Sequence, residues 1–479
     1  MPKRNVYTPE EQKILDQIRQ IGDEIYGWQK NQPKKVANVE SIVNYNTWSD
    51  PWSPVWTDAE YAKTTRWGNL VAYPLYVDRF DMMNYNLLLE GEQSIRAMMN
   101  NHYGGVFTQY QQIYAGDELR VFQKRPQLIE TLKDDEEHDG PRAWGYIQRD
   151  CDIYNQRGQL VASHQHCLDA VLYDRPRGER YAIPPFEDHW YTEAQNQWMQ
   201  QIIDNEYRRG TDTLYWEDVQ VGQELAHTTL GAMRLWDLIS WFAVKEEEPY
   251  WPTRLYRERR NATFIDPHNN THRFGIEWHF AADMSQLMSN PRAVCFSDSC
   301  RNQLCRVATN WMGDDGMVYY HRNLHFMQTP HGDCLVGCGR VVGKRIENGR
   351  YLADLETWLY DMCQGNVSDA VRCTVELPHR GDTDASEGFR EALELPELDA
   401  VPVGTRVRLH APESLPWWPD DPYPLEGVEG TIFHKYLWRD ALSEFTSFVD
   451  VLLDPETAQK PLGIGNELTF RLDQLEFLD

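Results

Sequence analysis

Two stretches of the chain dictate its architecture, because each can fold only as a long antiparallel meander. The first is AWGYIQRDCDIYNQRGQLVASHQHCLDAVLY, from Ala143 to Tyr173, and the second is VYYHRNLHFMQTPHGDCLVGCGRVVGKRIENGRYLADLETWLYD, from Val318 to Asp361. Runs rich in β-branched and aromatic residues make up both, and in the first half they flank the turns AGD and QRG. In each half a polar loop and a helix are followed by long strands with Gly-Asp at the first turn, Gly116-Asp117 in one half and Gly332-Asp333 in the other. The shared order predicts a divergent duplication with a period of about 190–200 residues, far too long for a solenoid repeat.

A chain of 479 residues exceeds one ordinary core at roughly 100–200 residues per domain. The expected divisions are residues 1–175, a Pro- and charge-rich linker at 176–210, a second unit at 211–378, an acidic connector at 379–398, and short β runs at 399–479. The first unit opens on a helical pattern, with Ile14, Ile18, Ile21 and Ile25 at three- and four-residue spacing. KDDEEHDG at 133–140 predicts a solvated loop, and a helix is expected to run through Ile203.

Composition narrows the function classes. The formal net charge of −27 repels nucleic acid and anionic membrane surfaces. Neither partner is expected, and any phosphate-bearing ligand must meet a local basic cluster. No run of 18 apolar residues occurs and MPKRNVYTPEEQKIL lacks an apolar signal core, so a cytoplasmic location is expected. The nine Cys, three of them at 295, 300 and 305, fit neither zinc pairs nor a disulfide scaffold, which predicts buried free thiols. There is no GxGxxG after a strand and no GxxxxGK[ST].

The stretch SDPWSPVWTDAEYAKTTRWGNLVAYP carries Asp50, Ser53, Pro54, Val55, Trp56, Asp58, Tyr61 and Ala62, then Arg66-Trp67-Gly68 and Ala72-Tyr73-Pro74. It resembles the MaoC-like hotdog hydratases and dehydratases, in particular the fatty-acid-synthase-type dehydratase N-terminal domain, whose pattern is Asp-x-Asn-Pro-Leu-(His/Tyr/Trp)-x-Asp-x-x-(Tyr/Phe)-Ala. NHYGGVFTQYQQIYAGDEL, YWEDVQVGQEL and TPHGDCLVGCGRVVGKR extend the resemblance over roughly residues 10–378. It implies an α+β fold of two tandem hotdogs, each a long helix wrapped by an antiparallel sheet. VGTRVRL and GVEGTI resemble turns of the SH3-like barrel of the nitrile hydratase β subunit, which implies a small C-terminal barrel.

The chemistry so implied is reversible hydration of a 2-enoyl thioester, with coenzyme A as part of the substrate and no separate cofactor. A carboxylate and an imidazole share one water, and a helix N-terminus stabilises the enolate. Trp56 stands in the first half's histidine slot and cannot exchange protons, so the resemblance makes the first hotdog the non-catalytic half. Asp50 and Trp56 are then expected to bind substrate or to pack in the core.

In the second half the motif Gly-Asp-x-Asn-Pro-x-His-x-Asp is missing, and the insertion KEEEPYWPTRLYRERRNATFIDPHNNTHRFGIEWHFAAD takes its place. It supplies Asp266, His268, His272, His279 and Asp283 in a chain with only 15 His. If WHFAADMSQLM is helical, His279 and Asp283 share a face at i and i+4. The catalytic candidates are therefore His279, Asp283, Asp266 and His272; a solvated loop and an ordinary helix pair are the bland readings. A metal site is not expected, since the insertion has no HxH or HExxH spacing.

Arg254, Arg257, Arg259 and Arg260 form the densest basic cluster, a seat for coenzyme A phosphates or a set of ion pairs with Glu246, Glu247 and Glu248. Arg301 is placed beside the hotdog helix by the resemblance. The leading expectation is a hydro-lyase on an acyl thioester, as monomer or homodimer. The alternatives are a divergent hotdog enzyme acting on a free acid or aromatic substrate, and a non-catalytic acyl-binding or scaffold protein.

Overall fold

The computed structural model describes residues 9, 12–13, 16, 19–20, 23, 35–79, 97–98, 102–125, 127–130, 143–172, 188–245, 263–266, 269–287, 292–326, 329–381, 386–394, 401–413, 415, 417–435, 447–458 and 467–478. Compact packing groups the chain into two units that interleave in sequence: Met1–Trp48, Val71–Ile183 and Leu238–Val294 form one, and Ser49–Leu70, Pro184–Asp237 and Cys295–Asp479 the other. Pro9, Gln12, Lys13, Asp16, Arg19, Gln20 and Asp23 are helical and exposed, while Ile14, Ile18, Ile21, Ile25 and the 133–140 loop lie outside the described residues.

In the first unit the elements are β1 (Lys35–Val36), α1 (Val39–Ser49), β2 (Ala97–Met98), β3 (His102–Gln109), β4 (Glu118–Gln123), β5 (Gln127–Glu130), β6 (Ala143–Tyr154) and β7 (Leu160–Leu172). They form an antiparallel sheet in the order β1-β4-β6-β7-β3, with β2 added to β7 and β5 to β6. The β6–β7 turn closes because Asn155 Oδ1 accepts from the backbone N–H groups of Arg157 and Gln159 at 3.0 and 3.1 Å. Gly158 takes φ +73° there, a conformation that costs residues with a Cβ.

Further along the chain come α2 (Glu193–Asp204), β8 (Thr228–Ala232), α3 (Leu235–Lys245), β9 (Thr263–Ile265), β10 (His272–Phe274), α4 (Ala282–Leu287) and α5 (Ser297–Met312). α2 starts at a capping box, in which the Thr192 side chain accepts from Gln195 N and the Gln195 side chain accepts from Thr192 N. β11 (Met317–His325), β12 (Cys334–Glu347), β13 (Arg350–Asp361), β14 (Asn366–Glu376) and β15 (Arg390–Ala392) pair in the order β11-β14-β13-β12-β15, with β8 on β12.

All 16 residues of α5 are buried, and the helix packs on β8, β11, β12, β13 and β14. A helix buried against an antiparallel sheet is the packing that the expected hotdog requires. Gly337 and Gly339 permit the close approach, since a Cβ on Gly337 would meet Val307 Cγ2 of α5 at 3.0 Å. The fold is α+β as expected.

Both units repeat one backbone device. In the first, Gly116 N donates to Ala37 O at 2.8 Å and Ala37 N to Asp117 O at 2.9 Å. In the second, Gly332 N donates to Met233 O at 2.7 Å and Met233 N to Asp333 O at 3.0 Å. Gly116 and Gly332 adopt φ +98° and +97°, so the two Gly-Asp signals mark equivalent turns.

The C-terminal strands β16 (Arg406–Leu409), β17 (Glu429–Lys435), β18 (Phe448–Leu453), β19 (Glu467–Arg471) and β20 (Leu475–Leu478) form a five-stranded antiparallel sheet, ordered β19-β18-β17-β16-β20. Val407, Ile432, Val449, Val451 and Phe470 bury its apolar face. Trp418 Nε1 and Tyr423 OH each donate at 2.7 Å to Met362 O and Gly365 O in the β13–β14 turn. All nine cysteines are free thiols, eight of them buried, as the Cys spacing predicts. Among the described residues no helix is long and apolar enough to cross a membrane.

Candidate functional site

The described part of the insertion folds as a small module. β9 and β10 pair antiparallel, with Arg273 opposite Phe264 and His272 opposite Ile265. Their turn is closed by Asp266 N donating to Thr271 O and Asn270 N to Asp266 O, each at 2.8 Å. Asn270 adopts φ +58°, which Asn tolerates better than most residues with a Cβ. Beyond β10 the chain makes a 3-10 turn over Gly275–His279 and then α4. Trp278, Met284 and Val294 bury together as the module's own core.

That core seats His279, which is only 7% exposed. Its Nδ1 lies 2.9 Å from Val294 O. A carbonyl can only accept, so Nδ1 carries the hydrogen of this bond, and in the neutral ring Nε2 is the basic nitrogen. The Trp278 ring leans on the imidazole with centroids 4.5 Å apart. His279 is thereby held in one tautomer.

The two candidate carboxylates converge on Arg273, a residue the sequence reading did not single out. Its Nη1 lies 3.1 Å from Asp266 Oδ2 and 2.6 Å from Asp283 Oδ2, while Nε lies 2.7 Å from Glu277 Oε2. The Arg273 hydrogen bond holds the Asp283 carboxyl below its usual range. Asp266 is buried and Asp283 half-exposed. The expected continuous helix through WHFAADMSQLM is instead two pieces, so His279 and Asp283 do not form an i, i+4 helical pair. His272 precedes Arg273 on β10, and strand alternation sends its side chain to the opposite face of the ribbon. His268, Arg254, Arg257, Arg259, Arg260 and Glu246 to Glu248 lie outside the described residues.

In the second unit, the motif-like loop is anchored by ionic and capping bonds. Asp58 caps the turn Ala59–Ala62 by accepting from Glu60 N and Tyr61 N. Tyr61 OH donates to Asp314 Oδ2, and Trp67 Nε1 to Asp314 O at 2.7 Å. Asp50, 1% exposed, accepts from Trp52 N at 3.3 Å and lies 3.6 Å from Arg208 Nε. Arg208 faces Glu206, whose other oxygen is 3.1 Å from Arg306 Nε of α5. Burial pushes the Asp50 carboxyl above its usual range despite the Arg306 and Arg208 charges. Ser53, Val55, Trp56, Arg208, Arg209 and Asn310 are among the residues lining a narrow crevice beside it. Arg301 is fully buried on α5 and paired with Asp298 at 3.0 Å.

A second acid–base pair escaped the sequence reading. His325 Nδ1 lies 2.7 Å from Asp369 Oδ1, both buried, as directly opposed partners on β11 and β14. Ser368 Oγ donates to the other Asp369 oxygen at 2.9 Å. The two residues are 44 apart in sequence, and neither sits in a spacing that marks it. Among the described residues no group of three or more His, Cys, Asp or Glu could hold a metal ion.

No family model matches the chain, and no curated protein matches it. Among solved structures it is similar to a MaoC-like dehydratase, at 13% identity and TM-score 0.47 over 72% of this chain and 95% of that one. A second is a MaoC domain protein dehydratase from Chloroflexus aurantiacus, described as putative, at 12% identity and TM-score 0.44 over 73% and 94%. A third is a conserved hypothetical protein from Mycobacterium tuberculosis described as having a double hotdog fold, at 10% identity and TM-score 0.40 over 73% and 94%. What the chain is similar to is thus a set of MaoC-like dehydratases and double-hotdog proteins, each at 13% identity or less.

Proposed function

We propose that the chain is a hydro-lyase that adds water reversibly to a 2-enoyl thioester, with coenzyme A as the carrier. The observation that carries this reading is His279, buried against Trp278 with its Nδ1–H committed to Val294 O. In the dehydration direction Nε2 takes the proton from Cα of a 3-hydroxyacyl thioester, leaving an enolate on the thioester carbonyl. The hydrogen bond to Val294 O supports the imidazolium so formed. The imidazolium then gives that proton to the departing β-hydroxyl, which releases water and the enoyl product and restores the neutral ring. A positioned acid or base of this kind contributes typically about 10²–10⁴-fold.

Asp266 is the buried carboxylate of the module and the second candidate for proton traffic, while Asp283 and His272 are secondary. Arg257, Arg259 and Arg260 supply cations for the coenzyme A phosphates in a chain otherwise strongly acidic. Trp56, Asp50 and Arg301 contribute to substrate binding. The reading includes two tandem hotdogs in one chain, a C-terminal SH3-like barrel serving as a docking or lid module, a monomer or homodimer, and a cytoplasmic location. The resemblance of residues 49–74 and the burial of α5 in its sheet support it.

Purified protein incubated with enoyl-CoAs of graded chain length tests the reading through loss of the conjugated thioester absorbance. Silence across the panel would refute it. The missing Asp-x-Asn-Pro-x-His motif favours one rival, a divergent hotdog enzyme acting on a free unsaturated acid or aromatic substrate. Turnover of such acids without coenzyme A would select it.

A further inference from the structure

We infer that Arg273 is a positioning residue for His279, holding the turn that carries the imidazole and setting the charge around it. The inference rests on the assignment of His279 as the proton-transfer group. Arg273 binds a carboxylate on each side of that residue in the chain: Glu277 two residues before it and Asp283 four after it, at 2.7 and 2.6 Å. A third, Asp266 at the end of β9, joins at 3.1 Å. One planar guanidinium therefore ties the β9–β10 ribbon, the 3-10 turn and the start of α4 together, with His279 between the tied points. The fork geometry of Arg suits this task, whereas the ammonium of Lys offers a single centre of charge.

Its electrostatic role follows from a count of charges. Among the described residues, the charged or titratable groups of the elements that Arg273 ties together are Asp266, His272 and Arg273 of the ribbon, Glu277 of the turn that carries His279 and Asp283 of α4, with Arg292 on the chain returning to Val294. Three carboxylates gathered on the elements that carry the imidazole favour the imidazolium and would leave less of the basic form at neutral pH. Arg273, with its side chain 15% exposed and less screened than a surface cation, offsets them. Without it the imidazolium is favoured further, so the His279 titration moves upward.

The test uses full-length protein labelled with 15N-histidine, with the His279 signals assigned by their loss in His279→Gln. In the wild type they are expected to report a single Nδ1–H tautomer. In Arg273→Gln the titration midpoint should rise by about one pH unit and the tautomer should become mixed. Arg273→Lys should leave the midpoint nearly in place while lowering kcat about tenfold at a KM changed less than about twofold. A folded Arg273→Gln protein with an unshifted midpoint and one tautomer overturns the inference, whether or not enoyl-CoA is turned over. Absence of turnover in the wild type, with the midpoint shifted in Arg273→Gln, counts against the enzymatic reading alone. If Arg273→Gln does not fold, Glu277→Gln takes its place: removing one carboxylate should lower the midpoint by about 0.3 unit, and an unchanged midpoint overturns the inference.

Discussion

Gly337→Ala should loosen the seat of α5 in its sheet. A Cβ at this position would lie 2.5 Å from Thr228 Oγ1 and 3.0 Å from Val307 Cγ2. Non-bonded carbons sit at roughly 3.5–4.0 Å. Thr228 and Val307 are both about 1% exposed, so neither can swing into solvent and the strain falls on the helix–sheet spacing. Overpacking of this kind costs about 1–3 kcal/mol, and with two close contacts about 2 kcal/mol is expected. Val307→Ala removes one of the contacts, so the double variant should be more stable than the sum of the single changes predicts by about 0.5–1 kcal/mol. Urea unfolding of the four proteins measures the cycle. Gly337→Ala within about 0.5 kcal/mol of wild type, or strict additivity, would refute the claim that glycine at 337 is what lets the helix sit so close.

Two further predictions concern buried charge in the second unit. Glu356 is fully buried between Arg340 at 2.9 Å and Arg372 at 3.4 Å. Burial opposes its ionisation, but the Arg372, Arg340 and Arg471 charges outweigh this and hold its carboxyl below the usual range. Its contribution is therefore present above the unfolded value near pH 4.3 and is lost as pH falls through the folded value. Glu356→Gln should cost about 3–5 kcal/mol by stranding buried cations; a thermal midpoint unchanged at pH 7 would sink this. Asp361 is pushed the other way, by burial and by the Asp333 charge. Its raised folded value means stability present below about pH 4 and lost as pH rises through that value. Asp361→Asn can keep accepting from Cys363 N and Gln364 N, so its thermal midpoint should decline less than that of wild type on raising the pH; parallel curves would count against the reading.

Strand content was legible because turn glycines punctuate alternating runs. QRG marks the β6–β7 turn, where Gly158 takes φ +73°, and the unmarked β12–β13 turn places Gly349 at φ +72° in the same way. The two Gly-Asp signals were legible for the same reason, and their shared backbone bonds to Ala37 and Met233 give the internal repeat a structural counterpart. The buried helix was harder to read. α5 carries Asp298, Arg301, Asn302, Gln303, Arg306 and Asn310, and its polar residues suggest a surface helix until Asp298 and Glu206 are seen to take up the two arginines. Asp58 was visible as a motif residue, but its bonds to Glu60 N and Tyr61 N show a helix cap, which any Asp at that position could provide.

In the insertion only residue type carries a signal in the sequence. His279 and its neighbouring carboxylates stood out as titratable groups, but spacing could not reveal that Arg273 gathers Asp266, Glu277 and Asp283. The fold of the turn decides that. Nor could the His325–Asp369 pair be found, because strand pairing brings together residues whose separation in sequence carries no signature.

The most direct test of the central claim is the rate of enoyl-CoA hydration by His279→Gln beside wild type, with thermal unfolding as the control for folding. Glutamine retains a side-chain amide that can donate to Val294 O but cannot exchange a proton at neutral pH. A loss of about 10²–10⁴-fold in kcat at a nearly unchanged unfolding midpoint is expected. Hydration by the wild type with full activity retained in His279→Gln would contradict it.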